Sequence, residues 1–139
     1  MPEYVPLTGY EQLMDALKVQ AKKNCLIYMY FFGEKDGNGR SWCPDCVAVE
    51  QSVETAFREN AHPDSLIYTV DVGNRDAWKD MTNNKFRHDP FNLTQIPSLL
   101  RWNGSERLEG DQLLKPSLLE LFFDEAKLES SIDITVPCK

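Results

Sequence analysis

Two cysteines stand two residues apart in "SWCPDC", Ser41 to Cys46, behind a tryptophan and around a proline. At the start of a helix, thiols at this spacing can close a small disulfide ring. The first thiol then sits where unpaired backbone N–H groups and the helix dipole favour an anion. Cys43 is therefore the expected nucleophile, and Cys46, one turn further in, the expected resolving thiol that attacks a mixed disulfide and frees the reduced product. Lowering a thiol pKa from about 8.5 to roughly 6.5 would raise the thiolate fraction near neutral pH from under a tenth to about nine-tenths. Pro44 suits the first helical turn, where an N–H is dispensable, and stiffens the ring. Trp42 can shield one flank and offer an apolar contact to an incoming disulfide. Asp45 suits the helix dipole, yet its charge beside Cys43 disfavours the thiolate.

A second feature lies far along the chain in "QIPSLL", where Ile96-Pro97 precedes an apolar strand. A proline at that junction is a candidate cis bond. Packed beside Cys43, Ile96 would have its backbone available to an extended substrate. The bland readings of a Cys-x-x-Cys pair are half a zinc site or a structural disulfide. Zinc needs two further ligands, and Cys25, Cys138, His62 and His88 form no second spaced pair, so no metal is expected. Cys25 reads as a small buried strand residue and Cys138 as a tail thiol. Trp78 and Phe86 read as packing anchors, and the two histidines as surface residues.

These groups need elements to hold them. "YVPLTGYEQLMDALKVQAKKN" reads as a strand followed by an amphipathic helix with Tyr10, Leu13, Met14, Leu17 and Ala21 on one face. "CLIYMYFF" is an uninterrupted apolar run suited to a strand covered on both faces, and "GEKDGNGR" is a loop beside the cysteines that can restrict access for large disulfides. "VAVEQSVETAFREN" continues the cysteine pair as a helix, with Val47, Val49 or Glu50, Val53 and Phe57 on helical registers. "SLIYTVDVG" is a further buried strand. "NRDAWKDMTNNKFRHD" suits a short helix with irregular flanks. "IPSLLRWNGSERLEG" is a hairpin with its turn at Asn-Gly. "KPSLLELFFDEAKLE" is a helix with Leu118, Leu121, Phe122 and Leu128 on one side. The order β, α, β, α, β, α, β, β, α predicts an α/β fold: a central mixed β-sheet flanked by helices, parallel early and antiparallel at one edge.

The 139 residues suit one domain, expected over 1–129 with a C-terminal tail over 130–139. A formal charge of -7 argues against nucleic acid and anionic lipid as partners. No apolar run approaches the roughly 18 residues of a membrane span, and "MPEYVPLTGYEQ" lacks a basic segment followed by an apolar one, so a cytoplasmic location is expected. There the thiols would stay reduced and any disulfide be transient and catalytic.

"SWCPDC", the distant "IPSLL" and the element order resemble the thioredoxin superfamily. Within it, "YFFGEKDGNGRSWCPDC" and "WKDMTNNKFR" are similar to a small cytosolic thioredoxin-related family with a Trp-Cys-Pro-Asp-Cys motif, that of thioredoxin domain-containing protein 17. The likeness runs from about Tyr4 to Leu128. It implies a thioredoxin fold acting as a monomer in redox homeostasis. Disulfide reduction would proceed without a bound cofactor, through a Cys43–Cys46 disulfide fed by electrons from NADPH via thioredoxin reductase. The implied substrates are cystine or selected protein disulfides. Pro97 matches the cis-proline. One departure stands out: "CLIYMYFF" has no carboxylate where thioredoxins carry a buried Asp that helps deprotonate the resolving thiol, which leaves Asp45, a water or no dedicated base. Two other functions fit parts of the chain. A glutathione-dependent glutaredoxin shares the Cys-Pro-x-Cys order, but usually has less chain before it than Met1 to Trp42. A binding adaptor would use the fold to dock a signalling partner, with the cysteines incidental or merely gating the contact.

Overall fold

The apolar runs become strands and the helically spaced positions become helices, in the order read from the sequence. The structure, a computed structural model, describes residues 2–20 and 26–130. Along the chain come β1 (Glu3–Thr8), α1 (Gly9–Val19), β2 (Ile27–Phe32), α2 (Pro44–Asn60), β3 (Leu66–Asp71), α3 (Arg75–Lys79), β4 (Ser98–Arg101), β5 (Arg107–Glu109) and α4 (Pro116–Ser130). Short 3₁₀ turns at Lys85–Arg87 and Gly110–Leu114 sit between them. The strands form one sheet in the order β1-β3-β2-β4-β5. β1 and β2 flank β3 in parallel, whereas β4 runs antiparallel to both β2 and β5.

β2 lies at the centre of the sheet, and its alternation divides the core. Ile27, Met29 and Phe31 face Leu13 and Leu17 of α1, while Tyr28 and Tyr30 face Val49, Val53 and Phe57 of α2 and Phe122 and Phe123 of α4. Because both faces are covered, no polar position is needed, which is why the run reads as continuous. Aromatic rings fill both layers. Phe31, Phe86 and Phe91 meet at centroid distances of 5.6 to 6.3 Å on one side, and Tyr28 meets Phe123 at 4.8 Å on the other.

One local expectation changes. On α4 the buried residues are Leu119, Phe122 and Phe123, whereas Leu121 is 52% exposed. The helix packs on α2 and the sheet together: of the expected face Phe122 is buried and Leu118 partly buried, Leu121 turns outward, and the Leu128 side chain lies outside the described residues. β4 and β5 pair as the expected hairpin, with Asn103-Gly104-Ser105 inside a connection over residues 102–106, and Glu106 folds inward to pair with Arg101, Nε to Oε2 at 3.1 Å. Gly104 gives that pair room: a Cβ there would come within 2.6 Å of both Arg101 Nε and Glu106 Oε2. The polar stretch after β3 holds α3 and a separate 3₁₀ turn, with Trp78 and Phe86 buried as anchors. Its Asp89–Pro90 peptide is cis, a feature the sequence reading did not contain. Ala21, Cys25 and Cys138 lie outside the described residues, as does the expected tail beyond Ser130.

Candidate active site

The loop between β2 and α2 is built by its own backbone. Asp36 Oδ1 accepts the amides of Asn38 and Arg40 at 2.8 and 3.1 Å, and Gly39 takes a positive φ of 81° to close the turn. An isolated bridge between Lys35 and Ser41 returns the chain beside β2. Lys35 then pairs with Glu50 of α2 at 2.9 Å, which ties the exposed loop to the helix it precedes. Ser41 and Trp42 are thereby delivered to the end of the sheet next to Gly33.

α2 begins at the motif. Cys43 is its N-cap and Pro44 its first residue; Cys43 Sγ accepts the Cys46 amide at 3.2 Å. The sulfur takes the place of the usual capping oxygen, so a thiolate there satisfies a helix N–H that would otherwise be unpaired. The Cys43 thiol is pulled down to about 7, foremost by the hydrogen bond from the Cys46 side chain, against burial, and further by the Cys46 amide. The Asp45 charge pushes it upward, as its exposed place in the first turn implies. The Cys46 thiol moves the opposite way, because its proton is shared with Cys43 and because it is buried. Cys43 and Cys46 are 5% and 3% exposed, so Cys46 is the more shielded of the two by a small margin. Both are free thiols in this structure.

The distant proline is part of the same site. The Ile96–Pro97 peptide is cis, Pro97 is buried, and the Ile96 carbonyl lies 3.8 Å from Cys43 Sγ, within reach of its S–H. Neighbouring bonds fix the turn: Ser98 Oγ donates to Gln95 O at 2.6 Å, and Gly110 N donates to Pro97 O at 2.9 Å. Arg87 holds the preceding segment, donating to Trp78 O at 2.9 Å and to Thr94 O at 3.3 Å, with its guanidinium 3.6 Å over the Trp78 ring.

Trp42 covers the flank of the pair. Its Nε1 donates to Gly73 O at 2.9 Å, and the indole lies so close over Gly33 that a Cβ there would come within 2.7 Å of it. On its outer side opens a cavity of about 610 Å³ lined by Trp42, Ser41, Lys35, Arg40, Arg75 and Asp76, among other residues. A smaller cavity of about 340 Å³ lies on the other side of the motif, between Asp45, Val49, Gln95 and Asp111.

The structure thus brings Trp42, Cys43, Pro44, Asp45, Cys46, Ile96 and Pro97 together. Two residues beside the cysteine pair were missed. Ser41 Oγ accepts the Cys43 amide at 3.1 Å and donates to Gly33 O at 2.7 Å, and hydrogen bonding by the Gly33 backbone and the Ser41 side chain favours the ionised form of Cys46, against the larger effects that hold its proton. A serine immediately before the motif was the only available signal, and it has no meaning until the loop folds it back on β2. Among the described residues no three His, Cys, Asp or Glu side chains are grouped as a metal site, and no helix is long and apolar enough to cross a membrane.

Residues 6–125 match the family described as thioredoxin domain-containing protein 17-like, thioredoxin domain. Thioredoxin domain-containing protein 17 of Danio rerio is 37% identical over 123 residues, 88% of this chain and 96% of its own. The Homo sapiens protein of the same name is 35% identical over the same shares. The thioredoxin-like protein Clot of Arabidopsis thaliana is 29% identical over 118 residues, covering 82% of this chain and 87% of its own. Among solved structures, Fasciola hepatica thioredoxin superposes with a TM-score of 0.55 at 17% identity, over 90% of this chain and 99% of its own. Chloroplastic thioredoxin z gives 0.53 at 17% identity, over 91% and 95%. The fold is the thioredoxin fold, and the chain belongs to the thioredoxin domain-containing protein 17-like family.

Proposed function

We propose that this protein is a thiol-disulfide oxidoreductase that reduces small or selected protein disulfides, with electrons from NADPH delivered by thioredoxin reductase. The observation that carries this reading is the Cys43 sulfur at the N-cap of α2, accepting the Cys46 amide at 3.2 Å with its thiol held near 7, beside the Ile96 carbonyl. A thiol so placed is a substantial fraction thiolate at neutral pH and keeps good nucleophilicity, the balance that exchange chemistry favours.

The reaction follows in two displacements. The Cys43 thiolate attacks one sulfur of the substrate disulfide; a Cys43–substrate S–S bond forms and the other half leaves as a thiolate, which takes up a proton. Cys46 then gives up its proton and attacks Cys43 Sγ. The Cys43–Cys46 bond forms, and the second half of the substrate departs with its electron pair. The substrate is reduced by two electrons and the protein is oxidised by two. Thioredoxin reductase returns them from NADPH. No bound cofactor takes part. Trp42 supplies an apolar wall, and the backbone at Ile96 and Pro97 forms the opposite side of the approach. The mixed-charge cavity beyond Trp42 has room for cystine, while the ordered loop over residues 33–42 narrows the approach for a large partner. The site is complete within one chain, which suits a monomer. A cytoplasmic location, where thiols are kept reduced, agrees with this chemistry.

The test is NADPH consumption with cystine and with insulin, driven either by thioredoxin reductase or by glutathione and its reductase. Turnover through thioredoxin reductase that favours cystine and is abolished by Cys43→Ser is expected. Turnover with glutathione alone would move the protein to the glutaredoxin reading, and none in either system would leave the adaptor reading.

A further inference from the structure

Cys46 is buried beside a strand that offers it no carboxylate. β2 contributes Tyr30, whose buried phenol is itself held in its protonated form, chiefly by desolvation and then by the nearby Cys46 sulfur and Glu50. The thioredoxin-like reaction nevertheless needs Cys46 as a thiolate, and only in its second half. In the reduced protein the proton on Cys46 is held by the Cys43 thiolate. Once Cys43 is bound to substrate that negative charge is gone, and the remaining groups around Cys46 decide whether it can ionise. Two of them are donors: the Gly33 amide and the Ser41 hydroxyl.

Ser41 is placed for a change of partner. It is 7% exposed, pinned by the Cys43 amide that it accepts at 3.1 Å, and its proton points to Gly33 O at 2.7 Å. Rotation about one side-chain bond redirects that proton without breaking the contact to Cys43 N, because a hydroxyl oxygen has two lone pairs and one proton. The Gly33 amide on the same strand end is the complementary fixed donor.

Building on the reductase reading, we propose that Ser41 serves the resolving step: when Cys43 is in a mixed disulfide, the Ser41 hydroxyl turns from Gly33 O to the Cys46 sulfur and, with the Gly33 amide, stabilises the thiolate that attacks Cys43 Sγ. The Cys46 proton passes to water and finally to the departing substrate thiolate; the sulfur's electron pair forms the Cys43–Cys46 bond, and the pair of the broken bond leaves with the substrate. A neutral hydroxyl thus does by hydrogen bonding what a buried carboxylate would do by accepting the proton.

The probe is 5,5′-dithiobis(2-nitrobenzoate), followed by stopped-flow absorbance with the full reduced chain. Attack by Cys43 releases one nitrothiobenzoate and resolution by Cys46 releases the second, so the two steps are read separately. Ser41→Ala is expected to slow the second release about tenfold, the scale of one hydrogen bond to a charged sulfur, and to change the first by less than about threefold. A second release at the wild-type rate, or an equal slowing of both, overturns the proposal. The isosteric pair Ser41→Thr and Ser41→Val repeats the comparison at matched volume: Thr keeps the second release within about threefold of wild type and Val loses it as Ala does, whereas equal rates in the pair overturn the assignment. Failure of the wild type to release any nitrothiobenzoate would instead remove the reductase reading on which the proposal rests.

Discussion

At the Phe32 end of β2 two buried sulfurs are met by neutral donors, the Cys46, Gly33 and Ser41 groups, whereas at the Ile27 end a buried carboxylate is met by a full opposite charge. There Glu106 and Arg101 pair at 3.1 Å with their side chains 4% and 11% exposed, beside the buried Tyr28. Burial raises the Tyr28 phenol well above its ordinary range, and among the described residues Glu106 Oε1 has no hydrogen-bond partner. The two ends differ in what their charges must do. A permanent ion pair tolerates burial only while both partners stay, and it locks the β4–β5 turn in place. A thiolate that must appear, be consumed and reappear is better held by dipoles, which stabilise the anion yet leave no uncompensated charge when it is lost.

That contrast can be broken at either end. The largest effect is expected from Glu106→Ala, which breaks a largely buried ion pair and should cost roughly 3–5 kcal/mol in chemical unfolding. The rate of Cys43 alkylation should stay unchanged. A cost below about 1 kcal/mol would mean that the pair behaves as a surface one.

Next comes the pH dependence of the reduced protein. The Cys43 thiol lies near 7 in the fold, below the ordinary thiol value of 9.0, so the unfolded chain binds the proton more tightly. The associated stability is therefore present in full above pH 9 and lost as pH falls through about 7. Relative to Cys43→Ser, the reduced wild type should gain up to about 3 kcal/mol between these limits. Iodoacetamide reactivity should rise with the same midpoint. A stability difference that is flat over this range would place the thiol at its ordinary value.

A smaller effect is expected from Gly33→Ala, whose methyl would collide with the Trp42 indole and displace it from Gly73 O. The expected loss is about 1–3 kcal/mol, with Trp42 fluorescence reporting the shift. Wild-type fluorescence and stability together would show that the loop yields freely. Smallest is Asp45→Asn, which removes the charge that opposes the thiolate. The Cys43 midpoint in an ultraviolet thiolate titration should then fall below about 7. A rise would mean that the Asp45 carboxylate helps the thiolate through the helix dipole more than it repels it.

Much of this was legible before folding. The spacing of Cys43 and Cys46, with Pro44 between them, predicts a nucleophile at a helix start because helix N-termini offer the same unpaired amides in any protein. The run Ile27 to Phe32 predicts a strand covered on both sides because no polar residue interrupts it. Ile96-Pro97 was readable as a cis candidate since proline alone makes that bond cheap. The outward turn of Leu121 on α4 was not legible, because that face is set by a partner distant in sequence, α2 meeting Leu119 and Phe123.

The sequence by itself determined the element order, the cysteine pair and the lack of a carboxylate on the strand run Cys25 to Phe32, since these depend on residue type and local spacing. Tertiary structure alone decided that Ser41 and Gly33 attend Cys46, that Trp42 closes over Gly33 toward Gly73, and that the Ile96 carbonyl faces Cys43. Those contacts join residues held together only by the pairing of β2 with β3 and β4, and hydrogen bonds between such segments have no signature in local spacing.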